Sequence, residues 1–134
     1  MKIEIPLYDI NVRFFFDYDL SKIINKIKIK HDKKKLYKIS EIDFDGIVIG
    51  EFIPKKKLIY VLVKRTDKGI DVETLTHEIY HLTSKIMKYN GFKYKKSDEP
   101  FAMLNGKLNS LIIGELIKKG EKLNYPRTNQ IKIK

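Results

Sequence analysis

The chain contains no cysteine. That excludes disulfides, cysteine-rich zinc knuckles, iron–sulfur clusters and thiol catalysis together, and it fits a reducing compartment. Arginine is almost as scarce: Arg13, Arg65 and Arg127 are the only three, so the formal charge of +11 is nearly all lysine. A basic balance suggests nucleic acid, but lysine without arginine is poorly suited to base readout or bidentate phosphate contacts. Isoleucine, asparagine and tyrosine are abundant as well, a composition that an A+T-rich genome encodes whatever the function. Nucleic acid is therefore not the expected partner. Long hydrophobic runs are also lacking. The longest, such as "LIYVLV", are strand-sized, so no membrane span is expected. The start, "MKIEIPLYDI", has charges at Lys2 and Glu4 in place of the apolar region of a signal peptide. These absences lead us to expect a soluble intracellular protein.

The 134 residues are 43% apolar and carry neither a repeat nor a Gly/Ser/Pro-rich linker. They are enough for one domain with one modest core. We place that core in residues 2–120 and expect the polar stretch 121–134, with Pro126, to be a loose tail.

Alternation predicts strands over 2–8 and 12–18, with Pro6 marking an edge or a bulge. Leu20, Ile23, Ile24 and Ile27 have helical spacing, and Asp19 precedes them as an N-cap. The lysine-rich run 30–38, which contains His31, reads as a solvated loop. Residues 42–53 and 56–64 read as two strands of a hairpin joined through 54–57, and 65–71 as a loop. One strong helix is predicted over 71–91, with Asp71 as N-cap, Glu73 in its first turn and Gly91 closing it. A second is predicted over 97–120, capped by Ser97 and ended by Gly120, with a core stripe of Phe101, Leu104, Leu108, Leu111, Ile112 and Leu116. The expected class is α+β: a small, mainly antiparallel sheet packed by two long helices.

Within the first long helix stands "THEIYHL", residues 76–82. His77 and His81 are four apart, so both side chains lie on one face, one turn apart, and two imidazoles there can reach one metal ion. Glu78 follows the first histidine and is expected to point sideways along the same open face, where a glutamate contacts water at a metal without being a ligand. The bland alternative is a pair of surface histidines. With Leu75 set at 0°, the apolar stripe Val72, Leu75, Ile79, Leu82 and Ile86 centres near 0°, whereas His77 and His81 fall at about 200° and 240°. They are not core histidines, and a cleft needs another element folded over their face; the second long helix is the obvious candidate. Shuffling the histidines and glutamates of this chain produces the pattern well under about one time in a hundred, so we read it as a site.

A catalytic zinc usually takes three protein ligands and keeps a fourth position open. Without cysteine, the third must be His31 or a carboxylate. Glu99, in the first turn of the next helix, is the best candidate and Asp98 its main competitor, although acids also favour any helix N-terminus. His77, Glu78, His81 and a glutamate on the following helix resemble the gluzincin arrangement of zinc metallopeptidases. A closer resemblance is to the very small zincin-like metallopeptidases encoded by tailed bacteriophages, whose order is a "DG" hairpin strand, a strand, "TLxHExxH" and "DEPxAYLxGYL". This chain has "FDGIVIGEF", "LIYVLV", "TLTHEIYHL" and "DEPFAMLNGKL" in that order, over residues 42–116.

That resemblance implies a minimal zincin-like domain with Zn2+ held by His77, His81 and Glu99, and Glu78 as general base in peptide-bond hydrolysis. It implies a protein or peptide substrate or phage particle proteins as partners, and a host cytoplasm or a virion as location. Met103 departs from the family's tyrosine, and it also stands where thermolysin-like enzymes carry an aspartate four residues after the glutamate. The partner that orients a histidine must then come from elsewhere: Asp98, Asn105 and Glu73 are candidates. Tyr80, Tyr94 and Tyr125 are candidates for steadying an oxyanion. The alternative function is a structural or interaction protein, such as a phage particle component, that retains the fold with little or no catalysis.

Overall fold

The computed structural model describes residues 1–31, 45–50, 56–93, 98–126 and 131–134. Strands β1 (Lys2–Ile5), β2 (Ile10–Asp17), β3 (Gly46–Ile49), β4 (Leu58–Thr66), β5 (Gly69–Asp71) and β6 (Leu123–Asn124) accompany helices α1 (Leu20–His31), α2 (Val72–Tyr89) and α3 (Asp98–Lys118). The strands form one sheet in the order β1-β2-β4-β5-β6, with β3 also paired to β4. The α+β class is as expected.

The sheet is mixed rather than mainly antiparallel. Its longest ladder, β2 on β4, is parallel and runs from Asn11↔Leu58 to Asp17↔Lys64. A parallel pair needs a crossover, and α1 lies on that connection. Asp19 opens α1 as expected, accepting from the Ser21 amide at 3.1 Å. The expected hairpin β3–β4 is present with Gly46↔Val63 and Ile49↔Tyr60 in register. Residues 51–55 of its connection and 32–38 of the lysine-rich run lie outside the described residues.

Strand β4 explains the uninterrupted run "LIYVLV". Ile59, Val61 and Val63 pack with Ile10, Val12 and Phe14 against α2 and α3. Leu58, Tyr60 and Leu62 pack on the other face with Leu20, Ile23, Ile24 and Ile27 of α1. A strand covered on both faces has no polar face to alternate with. The sheet therefore sits between α1 and the α2–α3 pair, a third layer that the sequence reading did not foresee.

Three local expectations are corrected. Residues 65–71 are not a loop: β4 continues to Thr66, turns, and returns as β5, with Arg65↔Ile70 and Thr66↔Gly69 paired. The stretch after Gly120 is not wholly loose, because β6 adds in parallel to β5 through Ile70↔Leu123 and Asp71↔Asn124. Arg65 clasps Glu121 with both guanidinium nitrogens, at 2.5 and 3.0 Å, and the Ile70 amide donates to the Lys122 carbonyl at 2.9 Å. Gly69, at φ +103°, permits this approach; a Cβ there would lie 2.2 Å from the Lys122 carbonyl oxygen. Pro6 does not sit within a longer strand; it ends β1 and begins a 3-10 turn over Pro6–Tyr8.

Of the stripe expected on α3, Leu104, Leu108, Ile112 and Leu116 are buried and Phe101 is partly so, whereas Leu111 faces solvent. No helix among the described residues is long and apolar enough to cross a membrane.

Candidate metal and catalytic site

Helix α2 begins where β5 ends. The Asp71 carboxylate accepts from the amides of Glu73 at 2.9 Å and Thr74 at 3.5 Å, Glu73 lies in the first turn, and Gly91 follows the helix at φ +80°. Leu75, Ile79, Leu82 and Ile86 are fully buried in the main core. This fixes the rotation of the helix about its axis and with it the direction of the motif.

His77 and His81 project to the open side as expected; the His77 side chain is 66% exposed. Their rings meet edge to face at 4.7 Å between centroids, and their Nε2 atoms are 3.1 Å apart. Two nitrogens on one tetrahedral zinc, each about 2.05 Å from the metal, stand about 3.3 Å apart. The pair is thus spaced as two ligands of a single ion. Burial, with repulsion from His77 and Lys85, holds the His81 imidazole below its ordinary pKa. That favours the neutral ring, the form that ligates.

Glu78 does not lie along the open face with the histidines, as the sequence reading supposed. Its side chain is 8% exposed, and its helical angle of about 300° puts it on the flank of the core stripe. Strand β3 covers it. Gly46 presses so closely that a Cβ at that position would lie 2.7 Å from the Glu78 Cγ and 3.0 Å from its Cδ. The wall of the cleft is therefore β3 and not the second long helix. Asp45, Gly46, Asp71, Glu73, Thr74, His77 and Glu78 line a cleft of about 430 Å³. Burial pushes the Glu78 carboxyl above the usual carboxylate range, and the His77 ring, with Nε2 at 3.9 Å from Oε1, pulls the other way.

The third ligand is not assembled in the same way. Glu99 and Asp98 are exposed in the first turn of α3. Among the described residues no three His, Asp or Glu side chains form a group able to hold a metal ion. His31 ends α1, and its side chain lies outside the described residues. Helix α3 approaches α2 through Thr83 and Asn105, 3.1 Å apart, and through Phe101, packed on Tyr80 at 5.0 Å. Tyr80 also lies edge-on to His81 at 6.1 Å. Asn105 is thereby engaged with Thr83, and Met103 lies away from the histidines in a groove against β1. Tyr125 is exposed, and Tyr94 falls outside the described residues.

Gly46 is the site residue that the sequence reading passed over. Its signal was present in "FDG", but there it read only as part of a strand. No protein family, curated protein or solved structure matches this chain.

Proposed function

We propose that this chain is a small zinc-dependent metallopeptidase of zincin-like fold, with His77 and His81 as ligands, Glu99 as the third ligand and Glu78 as the general base. One observation carries the reading: two histidine Nε2 atoms 3.1 Å apart, one of them on His77, which shares a cleft with the buried Glu78. Zinc, when bound, supplies Lewis acidity toward a scissile carbonyl and lowers the pKa of water. Glu78 receives the proton and returns it to the leaving amine. Its burial suits both steps, since a carboxyl with a raised pKa is a stronger base and still an adequate acid. Strand β3 holds that carboxylate in place, and the core-anchored helix holds the histidines. The substrate is a protein or peptide, with phage particle proteins among the candidates and the host cytoplasm or the virion as the setting.

A second reading, a structural or interaction protein that keeps this fold with little catalysis, draws on the missing three-residue group among the described residues. Elemental analysis of protein purified without chelator separates the two. The expected result is about one zinc per chain, lost in His77→Ala and in Glu99→Ala. No metal in the parent, even after zinc is added, removes the peptidase reading.

Gly46→Ala supplies a second test. The added methyl must displace the Glu78 side chain, while the backbone at Gly46 is not at positive φ. Peptide turnover is expected to fall by about 10²-fold, the scale of an ångström of misplacement, with zinc content unchanged. Parent-level turnover would show that the contact does not position Glu78.

A further inference from the structure

Helix α3 is apolar on two opposite faces. Leu104, Leu108, Ile112 and Leu116 are buried in the core. With Ser110 set at 0°, that stripe centres near 180°, whereas Met103, Gly106, Gly114 and Ile117 fall at about +20°, −40°, +40° and −20°. Met103 is 53% and Ile117 59% exposed. Between them the only charged residues, Lys107 and Glu115, fall at about 60° and 140°, outside this outward stripe. A surface helix of a monomer turns a polar face to water, and this one does not. The stripe is also symmetric. Positions 103, 106, 110, 114 and 117 read the same from either end: a large apolar residue, a glycine, the central serine, a glycine, a large apolar residue. The glycines serve no packing among the described residues. Both lie in the helix interior, where glycine is a poor former, and a Cβ at either meets nothing within 4 Å.

We infer that this face joins two copies of the chain, α3 packed antiparallel on α3 about a two-fold axis at Ser110. Under that symmetry Met103 of one copy meets Ile117 of the second, Gly106 meets Gly114, and the two Ser110 side chains face each other on the axis. The exposed apolar side chains are buried at both ends of the contact, and the glycines let the two backbones approach closely. Charge fixes the direction. The first turn of α3 is acidic through Asp98 and its last turn basic through Lys118. Antiparallel packing brings opposite ends together, in side-chain charge and in helix dipole alike, whereas parallel packing sets like against like. The interface is independent of the peptidase reading.

The test is analytical sedimentation of the full chain over a concentration series reaching about 200 µM, in chelator so that no metal bridges the exposed histidines of two copies. The mass is expected to rise from 15.9 kDa toward twice that value, with a Kd on the order of micromolar. Ser110→Glu sets two like charges on the axis and is expected to weaken association by about tenfold or more. Its position is exposed, so the monomer keeps its fold, which circular dichroism checks. The absence of native cysteine lets introduced thiols report the geometry. Met103→Cys and Ile117→Cys are each expected to stay unlinked alone, because like positions stand about 21 Å apart along the pair, and to form a disulfide with each other when mixed. A monomer at the highest concentration would overturn the inference. So would Met103→Cys linking to its own kind, no link in the mixture, or a Ser110→Glu dimer as tight as the parent.

Discussion

Glu78→Gln should retain zinc and lose about 10²- to 10⁴-fold in peptide hydrolysis, the usual worth of a positioned general base. The amide is nearly the same size, so β3 and the Gly46 contact are undisturbed, and the histidine pair is untouched. Cleavage at the parent rate, with zinc bound, would end the role assigned to Glu78. The same variant has a second readout in the metal-free protein. Burial raises the folded-state pKa of Glu78, so its protonated form is favoured in the native state. The associated stability is complete below the ordinary carboxylate pKa and is lost as pH rises through the raised folded value. Glutamine has no charge to lose. Metal-free Glu78→Gln is therefore expected to be more stable than the parent at about pH 7–8, with the gap closing near pH 4. Thermal melts across that range, in chelator, decide it; a gap of the same size at both ends would mean that Glu78 titrates normally.

Ile79→Ala tests the other side of the same helix. Ile79 lies between the histidines in sequence and faces away from them, fully buried among sheet and α3 residues. Truncation removes three carbons from a packed interior and is expected to cost about 2–5 kcal/mol, a fall in Tm of roughly 10 °C or more. Because the ligands are unchanged, added zinc should recover part of the loss. A ligand at a hundred times its Kd contributes about 2.7 kcal/mol if it binds only the folded form. Calorimetry with and without zinc reads both numbers. A loss under about 1 kcal/mol would mean that Ile79 is not the anchor that fixes the rotation of α2.

Sequence patterns located most elements because their signals are local. The Asp71 cap, the apolar stripe of α2 and the exposed histidine pair all follow from spacing along one segment. What escaped depends on contacts between distant segments. Nothing near Leu123 announces that it will pair with Ile70, and nothing in "VRFFFDY" distinguishes a parallel neighbour from an antiparallel one. Glu78 is the sharpest case. Helical geometry places it on the flank of the core stripe, but whether a flank is wet or covered depends on β3, thirty-two positions earlier at Gly46. For the same reason the second long helix was expected to form the cleft wall. The histidine pair was legible to the residue, whereas Glu99 rests on its place at the start of the next helix, and the described residues do not gather it into a three-residue group.

The parallel ladder between β2 and β4 also sets the order in which the site comes into being. Every pair in it joins residues forty-seven positions apart, as in Asn11↔Leu58. That closure costs chain entropy before any contact repays it, so such pairings form slowly. Helix α2 buries its apolar stripe against the face that β4 completes, and β3 reaches Glu78 only as a strand on β4. The isolated segment 71–91 can coil into a helix with its histidines in line, but it has no wall beside its glutamate until the sheet has closed. Burial of the Glu78 carboxylate therefore belongs to the last, cooperative stage of folding, and a nascent or partly unfolded chain carries the pair of imidazoles without it.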